Sequence, residues 1–302
     1  MNAATAAKTP HALRGVLCAA LGGVLWGFSG TCGQYLFMHY EVNTLWLTAL
    51  RMLTAGVVLT ALALLRHRQA VRGLWHAPAD LAQLALYAVG GLVLCQFSYM
   101  TAISWSNAAT TTVLQSLGPV LILLLVCLRT RRHPNRREGI ALALAVGGTY
   151  LLATGGDPTH MALSGRGLFW GLMTAAAVAC YTLLPARILP KWGAQTVTGC
   201  GMLIGGAVVL LAARTWRFSV ALPWDGWLAV GGVAVVGTVG AFSLFMQGVA
   251  DVGPVKSSML SATEPLTATV LSALWLGTRF SAADLIGFAC ITATVFLLAD
   301  SR

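Results

Sequence analysis

Charge is what this sequence has least of. Only 9% of its 302 residues are Asp, Glu, Lys or Arg, and 57% are hydrophobic, whereas a soluble domain carries about 25% charged residues. A chain so poor in charge cannot cover a water-facing surface, which excludes a soluble globular domain and makes a lipid bilayer its expected solvent. Its seven cysteines include no C-x-x-C pair and no Cys/His cluster; they read as small buried hydrophobes, and neither a metal nor a cofactor is expected. The histidines, His11, His39, His67, His76, His133 and His160, fall in tails or loops without an Asp or Cys at ligand spacing. There is no G-x-S-x-G nucleophile elbow and no G-x-x-x-x-G-K-[ST] phosphate loop. Enzymatic chemistry and ATP-driven work therefore have no visible machinery. Alternation with period two is missing as well, which excludes a membrane β-barrel.

What is present is long apolar runs. About 20 apolar residues cross a bilayer as a helix, and ten segments qualify: 14–37, 43–65, 80–103, 106–128, 136–154, 164–187, 194–213, 225–248, 254–276 and 281–299. The first is too long for the apolar region of a signal peptide and reads as a retained helix. Asn135 with Glu138, and Ser281 with Asp284, have capping-box spacing before the fifth and tenth segments. Asn107 suits the cap of the fourth, and Pro254 the first turn of the ninth.

The net charge of +10 comes with no nucleic-acid motif; the basic residues sit in short runs between apolar blocks. With the N-terminus inside and strict alternation, the outer side holds Arg166, Arg214, Arg217 and Arg279, and Arg51 lies within a helix. The other fourteen of the 19 Lys and Arg, Lys8 and Arg302 among them, fall inside. Positive residues favour the cytoplasmic side, so both termini are expected in the cytoplasm of a multi-pass bacterial inner-membrane protein. A monomer is expected.

The sequence repeats itself. At a shift of 146, Glu138 meets Asp284, Ile140 meets Ile286, Tyr150 meets Phe296, Gln115 meets Ser261, Pro119 meets Pro265, and Tyr99–Met100 meets Phe245–Met246. Arg14–Gly15 and Arg166–Gly167 open the first and sixth segments at a slightly larger shift. Five helices per copy is an odd number, so the second copy enters the membrane upside down. The expected fold is an all-α integral membrane protein of ten transmembrane helices, two inverted five-helix repeats (1–154 and 155–302) around a central cavity. Inverted repeats characterise secondary transporters, with the substrate site near the midplane between the halves.

The polar residues inside apolar helices are the candidate site, because they should face a cavity or another helix, not lipid. In the fourth segment Thr112, Gln115, Ser116 and Pro119 share a face; in the ninth, Ser258, Ser261 and Pro265 do. Pro119 and Pro265 each remove a mid-helix hydrogen bond and permit a hinge or a fixed kink. Glu264 lies about 15 Å into its helix at 1.5 Å per residue, near the bilayer centre, and is a functional candidate for that reason. Arg51 lies at a similar depth in the second segment, and the two are expected to pair or share a polar network. Glu264 has three possible roles at this point: binding a substrate amino group, carrying a proton, or serving as structural partner of Arg51. Gln96 and Tyr99 tilt the third segment toward the cavity; its mate offers Phe242 and Phe245. Trp26 in LGGVLWGFSGTCG and Tyr181 in the sixth segment complete the candidate lining.

LWGFSG, the in-helix Arg51 of TALRMLTAG, AISWSNAATTTVLQSLGPVL and SATEPLTATVLSALWLG together resemble the EamA-type family of the drug/metabolite transporter superfamily. The resemblance covers nearly the whole chain. It implies a ten-helix basket, a cavity lined by the first, third, fourth, sixth, eighth and ninth helices, and export or exchange of a small metabolite, often an amino acid, across the inner membrane. It also departs from the family: an acid often follows the LG that ends the fourth and ninth helices, whereas here Thr278 follows LG and the fourth ends CLRTRR. Partners expected are a small-molecule substrate, lipid, and a coupling proton or ion. Import of a nucleobase, vitamin or sugar derivative is the alternative; a channel or membrane enzyme ranks lower.

Overall fold

The computed structural model describes residues 10–299 apart from 158 and 160; Lys8, His160 and Arg302, used above, lie outside the described residues. Among the described residues the regular structure is helical throughout. The helices are α1 (Pro10–His39), α2 (Thr44–Arg66), α3 (Arg68–Trp75), α4 (Pro78–Trp105), α5 (Ala108–Thr130), α6 (Arg136–Thr154), α7 (Gly165–Leu183), α8 (Leu189–Trp192), α9 (Ala194–Ala212), α10 (Trp224–Val252), α11 (Pro254–Leu260 and Thr263–Leu274) and α12 (Ala282–Ala299). Each of the ten apolar segments is helical, and α3 and α8 are short additions between them. Six helices, α1, α2, α4, α5, α9 and α10, are individually long and apolar enough to cross a membrane. The protein is a multi-pass membrane protein.

The caps follow the sequence. Asn135 and Glu138 form a reciprocal capping box, Asn107 accepts from the Thr110 amide, and Ser281 and Asp284 bond each other's backbone amides.

Two irregularities recur in both halves. α4 loosens into a π-helical stretch at Tyr87–Val93 and α10 at Gly232–Gly240, an offset of 145 residues at one end and 147 at the other. α5 breaks at Ser116–Leu117 and α11 at Ser261–Ala262, two to four residues before Pro119 and Pro265. The cause of the breaks is local: a proline has no N–H to give and its ring crowds the carbonyl four residues back, here that of Gln115 or Ser261. The Ser261 carbonyl instead accepts from the Glu264 amide at 2.9 Å.

Packing pairs helices across the halves: α1 with α10, α4 with α7, α2 with α9, α6 with α12. Exchanging the halves maps this set onto itself. Gly56 meets Leu203 while Gly206 meets Leu53, and Gly148 meets Ile291 while Gly287 meets Leu152, so equivalent helices run antiparallel to each other. Small residues make the close approach possible, since van der Waals packing drives helix association in lipid. A methyl group on Gly27 would lie 2.5 Å from the Glu264 carbonyl oxygen, and backbone cannot step aside as a side chain can. Gly27→Ala is therefore expected to lose about 1–3 kcal/mol, seen as a lowered midpoint of thermal unfolding in detergent.

Candidate functional site

A cavity of about 310 Å³ lies where α1, α2, α4, α5, α7, α10 and α11 converge. Nine of the ten expected substrate-contacting residues line it: Trp26, Gln96, Tyr99, Gln115, Tyr181, Phe245, Ser258, Ser261 and Glu264. Thr112 does not; its hydroxyl bonds the Ala108 and Ala109 carbonyls at 3.0 and 2.9 Å within its own helix. Sharing a face with Gln115 was the reason to expect it there, and back-bonding to the helix removes it.

Leu92, Cys95, Val178, Thr182 and Phe242 also line the cavity. Phe242 was already named in the repeat copy of the third segment, and Val178 carried a usable signal. Phe242 is the repeat mate of Gln96 at a shift of 146. Val178 is the mate of Trp26 at the 152-residue shift that relates Arg14 to Arg166. The lining is thus drawn from equivalent positions with unlike chemistry. The first copy contributes Gln96, Tyr99 and Gln115; the second contributes Phe242, Phe245 and Ser261 at the same places. Trp26 packs against Phe242 and Phe245 with ring centroids 5.2 and 5.0 Å apart. Trp26, Phe242 and Phe245 form an aromatic group in a lining that also holds polar Gln96, Gln115 and Ser261.

Two charged residues, Arg51 and Glu264, also line the cavity. Arg51 is 3% exposed. Its Nε donates to Thr238 Oγ1 at 3.2 Å, and Thr238 donates in turn to the Val233 carbonyl within the π-helical stretch of α10. The Nη1 of Arg51, the Nε2 of Gln96 and the hydroxyl of Tyr99 are buried without a protein partner. Glu264 keeps half-buried surface in an otherwise enclosed position because it borders the cavity. It lies close to the Tyr99 hydroxyl, which makes no well-formed hydrogen bond. It is within electrostatic range of Arg51 but forms no ion pair with it. Arg51 and Glu264 therefore share one cavity and do not close on each other. Among the described residues no group of His, Cys, Asp and Glu could hold a metal ion.

The lining is exposed towards one end, at Thr182 and Ser258, and the ion pairs Arg14–Asp251 (2.8 Å) and Lys191–Asp80 (2.5 Å) stand near the helix ends on that side. At the other end α1 packs on α4 and on Ala108–Gln115, which in turn meets Thr263–Leu274. Buried Gln34, which sequence reasoning passed over, ties that end together. Its Nε2 donates to Thr278 Oγ1, and its Oε1 accepts from the Ala108 amide and the Ser272 hydroxyl, each at 2.9 Å. A lone Gln in an apolar helix was the available signal.

Comparison with known proteins places these features in context. The model of the EamA-like transporter family matches the chain twice, over residues 13–154 and 165–299. The chain is 34% identical over 290 residues to the uncharacterized inner membrane transporter YicL of Salmonella typhimurium, with 96% of each chain covered. It is 26% identical over 225 residues to the uncharacterized transporter YetK of Bacillus subtilis, covering 72% of this chain and 68% of that one. A crystal structure 20% identical in sequence superposes with a TM-score of 0.62 over 96% of both chains, a likeness of fold.

Proposed function

The chain belongs to the EamA-like transporter family, and from that premise we propose that this membrane transporter is a secondary carrier working by alternating access. Its cargo is a small amphipathic metabolite such as an amino acid, exported or exchanged across the bacterial inner membrane. The observation that carries this reading is the cavity itself. It lies between two copies of one helix pattern, beside broken helices, and is lined by both polar and aromatic side chains. Broken helices at a midplane site between inverted repeats are how secondary carriers hold a solute while exposing it to alternate sides. The antiparallel packing of α2 on α9 and α6 on α12 supports inverted copies and, with them, ten spans. The excess of Lys and Arg towards the exposed end of the cavity supports reading it as the cytoplasmic end.

In this reading Gln96, Tyr99, Gln115 and Arg51 take the polar end of the solute, and Trp26, Phe242 and Phe245 its apolar part. Glu264 takes its cationic group. The lack of an ion pair between Glu264 and Arg51 favours this role for the carboxylate over a purely structural one. Pro119 and Pro265 mark the bends where the broken helices flex.

The test is counterflow in liposomes. Thermal-shift screening against a metabolite panel first identifies a stabilising solute, because a ligand that binds the folded state raises the melting point. Liposomes loaded with that solute are then expected to accumulate its labelled form transiently and saturably. Unsaturable conductance would make the protein a channel, and chemical alteration of the solute would make it an enzyme.

A further inference from the structure

The closed end of the cavity is held by contacts that the second copy cannot reproduce. α1 packs on the Leu94–Trp105 part of α4 and on Ala108–Gln115. Among the described residues its repeat equivalent α7 makes no extensive packing with Ala241–Val252 or Pro254–Leu260, nor does Gly118–Thr130 with Pro254–Leu260. The two ends of one symmetric design are thus in opposite states.

The residues of the Gln34 node explain why this state should be preferred. Gln34 is 4% exposed and Ser272 and Ala108 are fully buried, so the two bonds that join them are shielded from water, while the bond to Thr278 is partly so. Moving Gln34 by the 152-residue shift gives Ala186. Moving Ala108, Ser272 and Thr278 by 146 gives Pro254, Val126 and Arg132. Ala186 and Val126 have no polar side-chain atom, and a proline has no backbone N–H to donate. When the opposite end closes, no equivalent node can form. Thr278 is also the residue standing where the family often places an acid, and here it accepts the Gln34 amide.

We propose that Gln34 is a one-sided latch: its bonds to Ala108, Ser272 and Thr278 bias the empty carrier toward the state closed at this end and open at the Thr182 and Ser258 end. The proposal rests on the alternating-access reading. A buried polar group left unsatisfied costs more than its bond contributes. Removing the node therefore penalises the closed end specifically, because opening that end hydrates the Ala108 amide and the Ser272 hydroxyl.

Hydrogen–deuterium exchange of the full chain in nanodiscs tests this with Gln34→Leu and the milder Ser272→Ala. The expected result is reciprocal. Peptides covering residues 108–115 and 272–278 exchange faster, and peptides covering 178–183 and 254–260 become more protected. Gln34→Leu should shift the ratio of the two states by about tenfold or more, with Ser272→Ala moving it less in the same direction. Faster exchange at both ends would mean general loosening and would overturn the latch, as would no change in either variant. Counterflow by the unaltered chain separates the two readings. If it persists while the reciprocal shift is missing, the latch fails and the carrier stands; if it is absent, the carrier reading fails on its own account.

Discussion

Replacing Arg51 with methionine is expected to destabilise the protein by about 3–5 kcal/mol, and adding Glu264→Gln to return a large part of that loss. Arg51 is buried, holds the π-helical stretch of α10 through Thr238, and is the cation within electrostatic range of Glu264. Methionine fills much of the same volume but leaves the Glu264 carboxylate deep in the protein with no compensating charge. Removing one member of a buried charge pair costs that much because of the charge left behind, whereas removing both is often nearly neutral. The second substitution therefore acts by cancelling a penalty. Thermal or denaturant unfolding in detergent of the two single variants and the double variant gives the coupling directly. Additive losses would show that the two charges act independently, each satisfied by its own surroundings, and would end the idea of a shared network. The absence of a direct ion pair keeps the expected coupling below that of a closed salt bridge and leaves the site accessible to a solute.

Which parts of this arrangement the sequence made legible follows from the physics of each part. The apolar segments, the capping boxes at Asn135 and Ser281, and the 146-residue repeat were readable, because each depends on residue type at fixed spacing. Most of the cavity was readable for the same reason: a Gln, Tyr or Glu within an apolar helix has few places to go except inward. The π-helical stretches at Tyr87–Val93 and Gly232–Gly240 carried no such mark. They change which backbone carbonyl each amide meets and leave composition untouched. Thr112 was misplaced because a hydroxyl can satisfy itself on its own helix. Gln34 was overlooked because its three partners lie far from it in the chain, one of them a backbone amide. Leu92 and Val178 escaped because the search was for polarity, while half of an amphipathic site is apolar. Reading each candidate together with its repeat mate, as was possible for Phe242, also yields Val178 from Trp26.

Glu264→Gln is expected to reduce solute counterflow by about 10- to 100-fold and to flatten its dependence on pH. The carboxylate stands in the first turn of Thr263–Leu274, immediately after the break at Ser261–Ala262. The break places it on the cavity, and the positive end of the helix dipole favours its charge. A charge-assisted hydrogen bond to a solute cation is worth about 1.5–3 kcal/mol, and glutamine keeps the shape and loses the charge, which sets the expected scale. In the unaltered chain, acidification that protonates Glu264 removes the same interaction, so counterflow should fall on the acid side. The variant has no proton to take up at this position, so its lower rate should stay level over the same range. A proton-carrying role would give a different pattern: the variant would keep counterflow, which needs no net proton movement, and lose only uptake driven by a pH gradient. If Glu264→Gln matched the unaltered chain in both rate and pH profile, the carboxylate would be a structural companion of Arg51 and the solute would be held by the polar and aromatic lining alone. Measuring both exchange and gradient-driven uptake in one liposome preparation distinguishes the three outcomes, because the same protein density enters each rate.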